Sequence, residues 1–273
     1  MKSFFSIFIA AIFLSTFLAA GCKPGAPVRP TAEAAQQELK LSGYNFDEKN
    51  FFIVVNAGEL RSINAFLIGG IDSNAINERG ETALTLAVKK KDLKVVRTLL
   101  DNKVDSNKAQ RDGDTALILA IAAGQNEIVN ALLDAGADVN QAGKDGKTPL
   151  IVALNAEHNE IASDLLERGA NVNAVDNGGE SALIAAAATS NDAEIIQELI
   201  RRGANINQQS KTGGTALMFA ASNNYQDVIR ELLKVGAETA LKDAKGRTAS
   251  DFARQAKHPE VAKMIDENKA DQQ

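Results

Sequence analysis

The sequence predicts an all-α solenoid of about seven helix-turn-helix units joined by projecting β-turns. A short run carries that expectation. Gly80-Glu81-Thr82-Ala83-Leu84 returns as Gly113-Asp114-Thr115-Ala116-Leu117 and Gly146-Lys147-Thr148-Pro149-Leu150. Later copies begin at Gly179, Gly213 and Gly246, so that Thr82, Thr115, Thr148, Ser181, Thr215 and Thr248 stand 33, 33, 33, 34 and 33 residues apart. Two further markers keep the phase: Asn74, Asn107, Asn140, Asn173 and Asn207, and the apolar pairs that begin at Leu99, Leu132, Leu165, Leu199 and Leu232. A fixed period of this size means that one supersecondary unit is stacked on copies of itself.

Each period reads as two short helices and a turn. Thr115 can cap the first helix, whose apolar side carries Leu117, Ala120 and Ile121. Ala87, Ala120, Ala153, Ala186, Ala220 and Ala253 share one phase and let neighbouring helices approach closely. A second helix near Glu127 to Asp134 buries Ile128, Val129, Leu132 and Leu133. It ends at Gly136, matched by Gly169, Gly203 and Gly236, where a left-handed cap favours Gly. The polar stretch from Asn140 to Gly146 then projects as a turn.

The ends depart from the pattern, as terminal repeats do. Tyr44 to Gly70 has Lys49 where the capping Thr is due, yet keeps an apolar face in Phe51, Val54, Val55, Phe66 and Leu67. At the other end Ser250 and Asp251 replace an apolar pair, which predicts a polar outer side. The repeat domain is expected over residues 42–268, closing with a helix near Pro259 to Asn268 and a polar tail at 269–273.

The N-terminal stretch reads as an address. After Lys2, Phe4 to Ala20 has no charge, and Ala19-Ala20-Gly21 precede Cys22. This predicts an export signal over residues 1–21; a membrane-spanning helix is the alternative, for which the stretch is short. Ala19 to Cys22 resembles the bacterial lipobox, which implies that Cys22 is acylated and anchors the chain in a membrane. Lys23, where the sorting rule for inner-membrane retention reads Asp, implies an outer-membrane destination facing the periplasm. Residues 22–41 then hold the lipidated Cys, a tether with Pro24, Pro27 and Pro30, and a short helix ahead of the main body.

The repeats over about residues 45 to 265 resemble the ankyrin family in their period, their G-x-T-A/P-L run and their L-L-x-x-G-A-x-x-N ending. One departure is systematic. Where that family often has a His bonding between repeats, this chain has Thr85, Ile118, Ile151, Ile184 and Met218, so that apolar contact is expected in its place.

Composition narrows the chemistry. The 273 residues carry a net charge of -5 with two His and one Cys. A single Cys makes no intramolecular disulfide, and three His and Cys cannot fill a four-ligand zinc site. The acidic balance and scarcity of aromatic side chains in the repeats argue against nucleic acid. Gly146-Lys147-Thr148 lacks the leading Gly of a phosphate loop, since position 141 is Gln141. His158 and His258 have no partners in the repeat map and read as surface residues. No enzyme and no cofactor is implied.

What the resemblance implies is a protein partner on the concave side. Transferred by repeat phase, the turn tips contribute Glu78, Arg79, Arg111, Asp112, Asp114, Lys144, Asp145, Lys147, Asn177, Glu180, Lys211, Lys245 and Arg247. First helices add Lys89, Lys90, Asn155, Ser222, Asn223 and Tyr225, the last read either as a groove anchor or as packing at a helix link. Two functions compete: a lipid-anchored binding module in the envelope, and an inhibitor or immunity protein that blocks a toxic envelope-directed enzyme.

Overall fold

The computed structural model describes residues 30–271. The expected export signal, Cys22 and most of the Pro-rich tether lie outside them. Among the described residues there are fifteen α-helices, and the only β pairing is two isolated bridges, Ile76 with Thr82 and Val175 with Ser181. No described helix is long and apolar enough to cross a membrane.

Seven helical hairpins follow one another. Their inner helices are α2 (Glu48–Ala57), α4 (Ala83–Lys89), α6 (Ala116–Ala122), α8 (Pro149–Asn155), α10 (Ala182–Thr189), α12 (Ala216–Asn223) and α14 (Ala249–Gln255). Their outer helices are α3 (Leu60–Ile68), α5 (Leu93–Asp101), α7 (Asn126–Asp134), α9 (Asn159–Glu167), α11 (Ala193–Arg201), α13 (Gln226–Lys234) and α15 (Pro259–Asp271). One further helix, α1 (Ala32–Leu41), comes first.

The capping residues behave as their chemistry requires. Thr82, Thr115, Thr148, Ser181, Thr215 and Thr248 each have extended backbone, and each side chain accepts the N–H three residues on. That satisfies a donor the helix leaves unpaired. Each outer helix buries one stripe, such as Ile128, Val129, Leu132 and Leu133 of α7. Full burial of one such side chain is worth about 1.5–3 kcal/mol, more than helix propensity supplies over so short a segment. The inner helices stay in close contact along the whole array, because Ala87, Ala120, Ala153, Ala186, Ala220 and Ala253 are all buried where they meet. Contact between the outer helices falls away from α7 through α9 to α11, so the array curves toward its inner side. The apolar substitutes for the interrepeat His are buried as expected, and Thr85 completes a capping box with Thr82.

Four details differ from the sequence reading. First, α1 is part of the stack rather than a prelude: Ala35 and Leu39 are buried, and Gln36 Nε2 donates to the Gly69 carbonyl at 2.9 Å. It packs on α3 as an outer helix without an inner partner. Second, the first inner helix is capped by Asp47, not from position 49, because its carboxylate accepts the Asn50 N–H at 2.8 Å. Third, Ser250 does not make a polar outer side; it is buried, and its hydroxyl reaches the Ala262 carbonyl of α15. Fourth, α15 continues to Asp271, past the expected end at Asn268, with no Gly there to stop it.

Candidate functional site

The turns between hairpins stand out as fingers, and the fingers lie on one another. The N–H of Arg111 donates to the Gly80 carbonyl at 2.8 Å, Asn177 to Asp145 at 2.8 Å, Lys211 to Gly178 at 2.8 Å, and Ala244 to Thr212 at 2.9 Å. Between the second and third fingers the Asp114 carboxylate accepts the Lys144 N–H instead, at 2.8 Å. These bonds turn separate turns into one wall, opposite the inner helices. The close approach explains the glycines: a Cβ at Gly213 would stand 2.8 Å from the Asp243 Cα, and its φ of +79° is left-handed besides.

The roots of the fingers bind the far ends of the inner helices, which establishes that both border one groove. Lys89 Nζ lies 3.1 Å from Glu81 Oε1 and 2.9 Å from Gln110 Oε1. Glu180 lies near Asn155 in the middle of the groove, and burial holds its carboxyl above the usual range. Asp176 adds to that rise, while Lys147 and Asn155 oppose it. At Glu81 burial raises the pKa as well, but the bonds from Asn77 and Lys89 outweigh it and hold the carboxyl low. Arg247 closes the C-terminal end, bonded to Asp243 at 2.6 Å and to Gln255 at 2.7 Å, with its guanidinium 4.2 Å from the Phe252 ring centroid. The Arg247 bonds hold Asp243 below the ordinary carboxylate range.

The structure gathers most of the expected residues on this face. Glu78, Arg79, Arg111, Asp112, Lys144, Asp145, Asn177, Lys211 and Lys245 are exposed on the finger tips, and Lys89, Lys90 and Asn223 on the inner-helix ends. Asp114, Lys147, Glu180, Arg247, Asn155 and Ser222 are half-buried nearer the floor. Several serve the wall itself. Arg111 Nη1 bonds the Glu78 carbonyl, and Asp145 takes a left-handed φ of 61°.

Tyr225 is not a groove anchor. It precedes α13, packs on the core, and its hydroxyl donates to the Thr189 carbonyl at 3.0 Å. Its repeat phase is that of His158 and His258, which stand at the same link before α9 and α15. Both histidines are half-buried there.

The sequence reading missed the groove's apolar floor. Leu86, Leu119, Val152, Ala185, Phe219 and Phe252 occupy one repeat position, and Leu119, Val152, Phe219 and Phe252 are only partly buried. The stripe starts in α2 with Ile53, 46% exposed. The available signal was the side opposite Leu117 and Ile121, where a solvated helix would place polar residues. Beside Ile53 a cleft of 430 Å³ opens between α2 and the first finger. Among the described residues no group of His, Cys, Asp and Glu has a metal-binding arrangement.

A curved stack of helical hairpins with a walled groove defines a repeat solenoid whose open surface is its concave side. The chain belongs to the ankyrin-repeat family. The family's sequence pattern, ankyrin repeats, matches three times, at residues 51–143, 140–208 and 183–273. A similar solved structure is the ankyrin repeat domain of Bcl-3, described as a unique member of the IkappaB protein family. It is 32% identical with a TM-score of 0.66, and the match covers 78% of this chain and 97% of that one. No curated protein is a significant match. The fold is that of a protein-interaction scaffold.

Proposed function

We propose that the protein is a non-catalytic binding module, held in the bacterial envelope by lipid on Cys22, that seats a partner protein on its concave face. The floor of the groove carries this reading: an apolar stripe from Leu86 to Phe252, partly open to solvent and bordered on both sides by polar residues. An apolar core with a polar rim is the anatomy of a protein interface. Residues that merely solvate the array would not need Leu119, Val152, Phe219 and Phe252 at the one position facing the groove.

The anchor rests on the small residues ahead of Cys22, with Lys23 after it favouring the outer membrane, facing the periplasm. Stable anchoring requires more than one acyl chain, and lipoprotein processing supplies several.

Partner capture from envelope extract tests the groove. Leu119→Asp combined with Lys147→Glu is expected to lose the proteins that the unaltered chain retains while still unfolding in one cooperative transition, at a lower temperature because Leu119 packs on the core and Lys147 lies near Glu180; identical recovery in identical yield rejects the concave face. Labelling with radioactive palmitate tests the anchor. Cys22→Ala is expected to abolish incorporation, and persistent label rejects lipidation at this residue.

A further inference from the structure

The fingers obey one rule with one exception. In five fingers the N–H at a single repeat position, that of Arg111, Lys144, Asn177, Lys211 and Ala244, donates to the finger before it. The same position in the first finger is Glu78. Among the described residues its N–H has no partner, because no finger precedes it: α1 and α2 are joined by the short link from Ser42 to Asp47.

That short link also opens the cleft beside the first finger. Its apolar lining is Phe52, Ile53, Ile76 and Leu86, and Ile53 and Ile76 are 46% and 41% exposed. The two residues begin rows that later repeats continue: Ile53 heads the groove floor, and Ile76 shares its phase with Val175 of a later finger. On the outer half of this end of the array α1 covers α3. A second copy stacking head to tail would collide with α1, so the open half fits a polypeptide segment and not another hairpin.

We propose that the cleft seats an extended segment of the partner polypeptide, which joins the wall as one more finger. One of its backbone carbonyls accepts the Glu78 N–H, and an apolar side chain enters between Ile53 and Ile76. The occupant follows from continuity with an interface the chain already makes internally, in which a backbone carbonyl receives this same N–H four times. Edge donors recruit strands in this way: main-chain bonds supply affinity and the adjoining pocket supplies selection for an apolar residue. The inference rests on the concave-face reading for the partner being a protein, and it adds where the segment enters and in what conformation.

The test uses the purified full chain in detergent and a phage-displayed library of random twelve-residue peptides. Enriched peptides are expected to share one apolar position, and their synthetic forms to slow hydrogen exchange at the Glu78 amide. Ile76→Asp and Glu78→Pro are each expected to weaken binding at least tenfold. The proline variant suits the turn, since the Gly80 N–H bonds the Asn77 carbonyl at 2.8 Å and Glu78 occupies the second turn position, where Pro is favoured. It removes the N–H together with the Glu78 carboxylate that lines the cleft, so Glu78→Ala, which keeps the N–H, is the control and is expected to bind as the parent does. Should the proline variant unfold, the exposed Ile76 variant and the exchange at Glu78 still decide. Peptides that bind equally well to Ile76→Asp and Glu78→Pro, or a library that yields none, overturn the proposal. Leu119→Asp with Lys147→Glu reads the middle of the groove separately: loss of binding there with none at Ile76 leaves the concave face standing and removes the cleft.

Discussion

The Asn173 carboxamide accepts the backbone N–H of Asn205 at 2.8 Å and donates to the Gly203 carbonyl at 2.9 Å, so one side chain ties its finger to the end of the next outer helix. Asn107 makes the same pair of bonds to Asp138 and Gly136, and Asn140 to Asn171 and Gly169. The periodic Asn is therefore a staple between repeats, and that explains why it keeps the beat.

Asn173→Ala is expected to lower the unfolding free energy by about 2 kcal/mol, two hydrogen bonds at about 1 kcal/mol each. Asn74 differs, since its buried carboxamide oxygen has no partner among the described residues. Urea titration should give Asn74→Ala less than half the cost of Asn173→Ala; equal costs would show that the staple is not what stabilises the pair.

Lys103 occupies the left-handed position after α5, at φ 62°, where Gly136, Gly169, Gly203 and Gly236 stand after α7, α9, α11 and α13. A side chain there costs about 1–2 kcal/mol in backbone strain. Lys103→Gly is expected to recover about 1 kcal/mol of it, offset in part by the freer unfolded chain. A calorimetric melting temperature no higher than that of the parent would contradict this.

Tyr225→Phe removes the bond to the Thr189 carbonyl and leaves the ring packed. The expected loss is about 1 kcal/mol of stability. Partner affinity, measured by titration calorimetry, should not change, because the ring lies at the helix link and not in the groove.

Glu180 should make the fold sensitive to pH. Its carboxyl is held above the ordinary range chiefly by burial, so the folded protein binds this proton more tightly than the unfolded chain does. The ionised form costs stability at neutral pH, and that cost fades as pH falls through the raised pKa. Glu180→Gln is expected to stabilise the protein at pH 7 and to match the parent in acid. A constant gap between the two denaturation curves across that range would refute the assignment.

Legibility followed periodicity. The caps, the buried pairs such as Leu132 and Leu133, and the glycine at position 136 depend on contacts repeated at one interval, so phase alone located them. Tyr225 shows where phase was available but unused, for its alignment with His158 and His258 places it at the link. The roles of Asp47 and α1 were hidden for another reason. They belong to an end where the interval changes, with Asp47 standing 35 residues before Thr82 and α1 starting 28 before α3, and nothing in the local sequence says which surface a lone amphipathic helix will cover. The aromatic packing of Phe46 and Phe51 on Phe66, with ring centroids 5.7 Å apart in each pair, fills that end with contacts no repeat contains.

The sequence by itself determined the unit, its number and its stacking, because each hairpin has an apolar face that, within the array, a neighbouring copy covers. Tertiary structure decided which side chains share the groove. Fingers from one hairpin meet inner helices of others, so the apolar floor, the Lys89–Gln110 bond and the open Glu78 edge exist only once the array has curved.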